Sequence, residues 1–262
     1  MPKVGDVIDL IESIAKPAYA YSWDNSGFAC GNRNAEVENV LVTLDITKDV
    51  VLEAAKKNCQ MIISHHPLIF HPIKTADEDT YEGGVLSALF KNGIALYCAH
   101  TSLDIAFGGV NDALCEKLGL KSVELLDENK IDGETVSCGR IGELENEMSG
   151  EEFVSFLKES TGAKNVLTSG LNNKTVKSVA LCTGAGEDMA FIKKADVFVT
   201  GEVKYHTALE LKWQNIAFAA IGHYYSEVHV ARALCKSLQN RANVIQYNLR
   251  FVPSETNTDP FD

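Results

Sequence analysis

The chain has 262 residues, 45% of them apolar and 23% charged, a composition that supports a sizeable buried core in one large domain or two smaller lobes. Its 36 Asp and Glu against 24 Lys and Arg leave a formal net charge of -12, which repels a polyanion over most of the surface and excludes nucleic acid as an expected partner. No apolar run approaches the roughly 20 residues that span a bilayer, and the N-terminal MPKVGDVIDLIESIAKP mixes charged and apolar residues where a signal peptide needs a continuous apolar stretch, so a soluble, cytoplasmic protein without a membrane partner is expected.

Taken in chain order, short apolar runs at 39–45 (NVLVTLD), 61–64 (MIIS), 94–99 (IALYCA), 178–182 (SVALC), 196–200 (DVFVT) and 216–221 (IAFAAI) read as buried strands. Helical patterns lie between them, such as TKDVVLEAAKKN with Thr47 placed as N-cap. Strands alternating with helices predict an α/β fold of parallel sheets covered by helices. The stretch 127–150 is polar and Gly-containing, with one possible strand before a helix whose Ser149 and Glu152 fit a capping box. It is the expected lobe boundary, giving a first α/β lobe over 1–126, a second over 127–220 and a C-terminal segment over 221–262.

An internal repeat shapes the architecture further. VLVTLDITKDVVLEAAKKNCQMIISHH (40–66) and VALCTGAGEDMAFIKKADVFVTGEVKYH (179–206) both run strand, helix, strand, His at nearly equal length. The parallel continues: IALYCAH is followed by Asp104, four residues after its His, and IAFAAIGH by Glu227, at the same spacing. A helix follows in each half, carrying Ala113-Leu114-Cys115 or Ala233-Leu234-Cys235. The chain reads as a duplicated α/β unit, and the polar residues recur at corresponding places where packing alone does not require them.

In open α/β sheets, ligand sites collect at the carboxyl ends of strands. Here the strand ends run into His65 and His66, into His100 and Asp104, towards His206, and into His223 and Glu227. Adjacent side chains on extended backbone diverge, so His65 and His66 suit two different ions, and Pro67 keeps His66 extended. If 223–229 is helical, His223 and Glu227 lie on one face and reach a shared centre. Three neutral imidazoles with Asp104 and Glu227 bring two negative charges to two divalent ions, a surplus for a hydroxide, phosphate or other anion to meet. The oxygen and nitrogen donors suit Zn, Mn, Fe, Co or Ni without choosing among them. A bridging carboxylate holds two metals about 3.5 to 4 Å apart, where a shared water becomes a hydrolytic nucleophile.

His100 and His206 are candidates for orienting ligands or moving protons, whereas His71 and His229 have no such support. The seven Cys are odd in number, form no C-x-x-C and read as buried thiols, with Cys98 and Cys182 packed inside strands. No G-x-x-x-x-G-K-[ST], G-x-G-x-x-G or G-x-S-x-G occurs, and GGVND at 108–112 reads as a helix entry.

With these residues in hand, the chain resembles the YbgI-like family, whose eukaryotic members are called NGG-one-interacting factor three homologues and which often carries the label type 2 GTP cyclohydrolase I. The resemblance rests on Trp23-Asp24-Asn25-Ser26-Gly27, LVTLDIT at 41–47, ISHHPLIF at 63–70, AHTSLD at 99–104, TGEVKYH at 200–206 and GHYYSE at 222–227, and spans nearly the full length. It implies two intertwined α/β lobes, a dinuclear metal centre between them and often a toroidal hexamer. Carried over, the ligands are His65, His66, Asp104, His223 and Glu227, with Glu227 bridging. The extra small domain that some members insert has no room in the polar stretch near 127–175, and Ser26, in place of a common aliphatic residue, is expected to be inconsequential.

The leading expectation is a metal-dependent hydrolase acting on a small anionic or heterocyclic substrate. The alternatives are a regulatory or metal-delivering protein without turnover and a ring-forming structural adaptor.

Overall fold

Val4, Val7, Ile8 and Ile11 recur at helical spacing, and the first helix, α1 (Val4–Glu12), buries all four. A computed structural model describes residues 1–261, and from α1 the chain continues into β1 (Gly27–Cys30) and β2 (Asn39–Thr43). Helix α2 (Lys48–Lys56) starts where expected, because Thr47 accepts a hydrogen bond from the Val50 N–H. Then come β3 (Met61–Ser64), α3 (Tyr81–Asn92), β4 (Ala95–Cys98) and the short α4 (Thr101–Ile105). Helix α3 stops at Gly93, whose φ of 64° is the left-handed conformation that glycine adopts without strain.

The middle of the chain forms α5 (Val110–Lys117), β5 (Lys121–Leu125), a hairpin of β6 (Asn129–Ile131) and β7 (Glu134–Val136), β8 (Arg140–Ser149) and α6 (Gly150–Thr161). The Ser149–Glu152 capping box is present. Next follow β9 (Leu167–Ser169), β10 (Thr175–Cys182), β11 (Val197–Thr200), α7 (Tyr205–Trp213), β12 (Phe218–Ala220) and α8 (His223–Glu227). The chain ends in α9 (Val230–Val244) and β13 (Arg250–Pro253).

These elements make two units. One holds Met1–Leu103 and the described residues from Ala231 onward; the other is Asp104–Val230. The first unit's sheet has the order β1-β4-β3-β2-β13, in which β4, β3, β2 and β13 are parallel and β1 is an antiparallel edge. Every residue of β3 and β4 is buried, as expected for parallel strands covered on both faces. Leu41, Ile62 and Leu96 pack under α2 and α3 with Val50, Val51, Val85 and Leu89. In the second unit the order is β5-β8-β10-β11-β12-β9, with a parallel trio β10-β11-β12 flanked by antiparallel strands. Its main core gathers Leu114, Phe153, Leu157, Val179, Leu181, Val199 and Ile221. Each unit thus contains the three-stranded parallel element that the repeat announced.

The divisions at 103/104 and 230/231 differ from those read at 126/127 and 220/221. Leu114, Leu118 and Leu120 send their side chains into the second unit's core, so residues 104–126 go with it. β13 lies parallel to β2 with Phe251 opposite Val40, which returns the C-terminal segment to the first unit. The stretch 127–150 is no boundary: it carries the hairpin and the whole ten-residue β8, which pairs with both β5 and β10. RIGELENEMS keeps one face wet, and its outward Glu residues hid the strand in the sequence. No helix among the described residues is long and apolar enough to cross a membrane.

Two polar anchors yield tests. Glu53 on α2 ties down the C-terminal segment through Ser254 Oγ, Thr256 Oγ1 and the Glu255 N–H, beside its own ion pair with Lys57. Burial alone would raise the Glu53 carboxyl, but hydrogen bonds from Lys57, Ser254 and Thr256 outweigh it and bring it from 4.5 to about 2. A folded-state value below the unfolded one stabilises the fold above about pH 4.5, and that gain disappears as pH falls towards about 2. Urea titrations across this window should give a flatter acid limb for Glu53→Gln than for the wild type; parallel limbs would contradict the assignment.

The second anchor is Arg140, 1% exposed, whose guanidinium meets both Asp112 carboxylate oxygens at 2.5 and 3.0 Å and donates to the Ser137 and Gly139 carbonyls. Asp112→Ala removes the partner of a buried cation and should cost about 3 kcal/mol of unfolding free energy, measured by urea denaturation, with Arg140→Met/Asp112→Leu recovering much of it.

Candidate metal centre

Strand β3 delivers His65 and His66 in a fixed frame. Their backbone N–H groups bond to the Thr43 and Leu44 carbonyls, which extends the pairing of β3 with β2 past the sheet, and Ser64 Oγ donates to the His66 carbonyl. His100 follows β4 directly. The three rings gather in the first unit with centroids 4.9, 5.3 and 5.7 Å apart, and one nitrogen from each lies within 4.8 Å of the others, close enough to hold a metal ion. His100 therefore stands beside the His65–His66 pair.

The tethers of these imidazoles decide their chemistry. His65 Nδ1 lies 2.9 Å from the Ala99 carbonyl, His66 Nδ1 2.7 Å from Asp45 Oδ1, and His100 Nδ1 2.7 Å from Asp24 Oδ1. All three partners are acceptors, which assigns the proton to Nδ1 and the basic lone pair to Nε2. Metal-binding histidines are oriented by outer carboxylates and carbonyls in this way.

Asp24 does more than hold one ring. Its fully buried carboxylate also accepts from Ser26 Oγ, Thr101 Oγ1 and the Asn25 and Thr101 N–H groups. Burial opposes its ionisation, yet the bonds from His100, Ser26 and Thr101 prevail and hold it well below the usual carboxylate range. Ser26, expected to be inconsequential, is instead part of this knot, since it donates to Asp24 and accepts from the His100 N–H at 3.2 Å.

The second unit assembles its candidates at the ends of β10, β11 and β12. His223 opens α8 and Glu227 closes it four residues later, so the helical reading holds: His223 Nε2 lies 3.1 Å from Glu227 Oε2. Glu202, just past β11, takes the His223 Nδ1 at 2.9 Å and repeats the pattern of the first unit. Ser226 Oγ accepts from the Gly184 N–H and donates to the His223 carbonyl, locking α8 against the loop after β10. Gly184 sits at φ 62°, and a Cβ there would run into Glu227 Oε1. Asp104 lies in the short α4, and Asn111, fully buried, donates to its carbonyl and to that of Cys138 while accepting from the Thr183 N–H.

The hydrogen bond with Cys138, burial and the nearby Asp104 and Glu227 carboxylates all push the Cys182 thiol upward. It stays a neutral packing group, as does Cys98, raised by burial. Among the described residues His206 joins no metal-capable group; it is exposed on the first turn of α7 with its ring against Tyr205. His71 is likewise exposed, against Phe70.

Asp24, Asp45, Glu202 and Asn111 escaped the sequence reading. The partners of the three tethering carboxylates lie 76, 21 and 21 residues away. The available signal was their position: Asp45 and Glu202 each follow a strand of the parallel trios.

Comparison with known proteins agrees over the whole chain. The model of the Duf34/NIF3 (NGG1p interacting factor 3) family matches residues 2–260. A Clostridium perfringens protein named GTP cyclohydrolase 1 type 2 homolog is 34% identical over 263 residues, covering 99% of each chain. A Drosophila melanogaster protein named NIF3-like protein 1 is 32% identical over 98% of this chain and 88% of its own. Among solved structures, a Bacillus cereus protein related to NIF3 superimposes with a TM-score of 0.94 at 27% identity, covering 100% of this chain and 99% of the other. The protein is thus a member of the Duf34/NIF3 family.

Proposed function

We propose that this protein is a metal-dependent hydrolase of a small anionic or heterocyclic substrate, with two divalent ions held by His65, His66, Asp104, His223 and Glu227. The observation that supports it best is the repeated tether: three imidazoles with Nδ1 on a carboxylate and a fourth on a carbonyl, all presenting Nε2 as donor. The donor set is nitrogen and oxygen without thiolate, which fits Zn, Mn, Fe, Co or Ni. Such ions, when bound, supply Lewis acidity and bring the pKa of water near neutrality. The names of the relatives point to a hydrolytic ring-opening class of reaction.

The chain's own residues supply orientation and proton transfer. Asp45 and Glu202 fix the rings of His66 and His223, while the knot around Asp24 keeps that carboxylate ionised at every physiological pH. A proton on His100 Nδ1 is then shared with a permanent anion, and His100 Nε2 exchanges protons with a reacting group. Gly184 keeps Glu227 from being crowded at the carboxyl end of β10.

Two experiments test the proposal. Wild type dialysed against chelator and reloaded should retain two ions per chain by elemental analysis, and Asp45→Ala, which leaves all five proposed ligands in place, should weaken metal affinity by about 10- to 100-fold. Weakly held, freely exchanging metal would favour the delivery role instead. Incubation of the loaded protein with GTP, phosphoesters and cyclic amides should reveal turnover that His65→Ala abolishes; activity indifferent to that substitution, or none at all across the panel, sinks the hydrolase.

A further inference from the structure

Beside the histidines of the first unit stands a group of aromatic side chains to which nothing above assigns a task. Trp23 is 59% exposed, Phe70 43% and Tyr21 40%. Tyr21 and Trp23 stack with centroids 5.5 Å apart and planes 21° from parallel; Trp23 lies 6.0 Å from Phe70, and both meet His100 edge-on at 6.3 and 6.2 Å. Leaving two large apolar rings this exposed forgoes burial energy of about 25 cal/mol per Å², and the surrounding loops are built to keep them there.

The loops are tightly held where the rings leave them. Asp24, next to Trp23, carries the buried hydrogen-bond knot, and Asn25 Nδ2 donates to the Ile69 carbonyl, which fastens the Trp23 loop to the segment that presents Phe70. The Tyr21 N–H donates to Thr101 Oγ1, and Thr101 is itself bonded to Asp24. Tyr21, Trp23 and Phe70 are thus set on one hydrogen-bonded frame that also fixes His100. Tyr21 covers one face of the indole, so most of the exposed surface of Trp23 belongs to the rest of the ring.

We infer that Tyr21, Trp23 and Phe70 form a stacking platform that binds a planar heteroaromatic ring and presents it to the histidine cluster. The inference deepens the reading of His65, His66, Asp104, His223 and Glu227 as a metal centre, and rests on it for what happens to the ring once bound. It selects the heterocyclic branch of the substrate class over acyclic anions, because a third planar layer continues the Tyr21–Trp23 stack, whereas the platform offers no formal cation to an anion. The short span from both exposed rings to His100 suits a single ring system.

The chain has two Trp, and Trp213, 86% exposed, is replaceable, so a Trp213→Phe background leaves Trp23 as the single indole reporter. Guanosine, nicotinamide and pterin are titrated into this protein with fluorescence as readout, beside ribose and inorganic phosphate. At least one heterocycle should quench Trp23 saturably, without competition from ribose or phosphate. By calorimetry, Trp23→Ala should lower that affinity about tenfold or more, the scale of one stacked base, while Trp23→Phe stays within about threefold and both variants keep the wild-type metal content. No saturable quench by any of the three, or equal affinity in Trp23→Ala, overturns the platform. So does Trp23 emission that responds only to protein dilution, with sedimentation altered in Trp23→Ala, since a second copy then covers the rings. Trp23-dependent binding without metal-dependent turnover keeps the platform and removes the hydrolase. Turnover of phosphoesters without quench does the reverse.

Discussion

The arrangement at the candidate centre depends on one constraint: an imidazole is useful as a donor only when its other nitrogen has been committed. In this chain the commitment is made at the carboxyl ends of parallel strands. His65, His66, His100 and His223 each give Nδ1 to an acceptor fixed by the sheet or by an adjacent loop, and the ring orientation follows from that bond. The cost of burying His65 and Asp24 is acceptable because each is hydrogen-bonded within such an arrangement rather than left in apolar surroundings. The extended pairing of β3 with β2, the knot at Asp24 and the lock between Ser226 and Gly184 all serve this orientation.

The two units place different side chains on a shared plan. Corresponding strand ends bring His65, His66 and His100 in one half, and Glu202, His223 and Glu227 in the other. The first half is rich in imidazole, while the second supplies most of the carboxylate. The shared plan thus keeps its strand ends while changing the side chains that they carry.

Much of this was legible in the sequence. The six apolar runs became β2, β3, β4, β10, β11 and β12, each within a few residues of the expected limits, because buried parallel strands show as uninterrupted hydrophobic stretches. Thr47 and Ser149 cap as their spacing foretold. What stayed hidden has a physical reason too. β8 alternates buried and wet residues amid Glu and Asn, so composition reads as loop. The unit limits depend on where Leu118 and Phe251 find their neighbours, which no local pattern reveals. Asp24 and Ser26 act through contacts reaching residues more than 70 positions away, and an exposed-looking WDNS segment gives no hint that its carboxylate is wholly buried.

The first unit is discontinuous: its sheet needs β13, while the second unit is contiguous from Asp104 to Val230. During synthesis the ribosome therefore releases every residue of the second unit before the strand that completes the first. The later-numbered unit is able to mature first, while β2 waits as an unpaired edge until residues 250–253 emerge. In the nascent chain the order of completion thus runs opposite to the order of the code, and the unit that carries His65, His66 and His100 is the last to close.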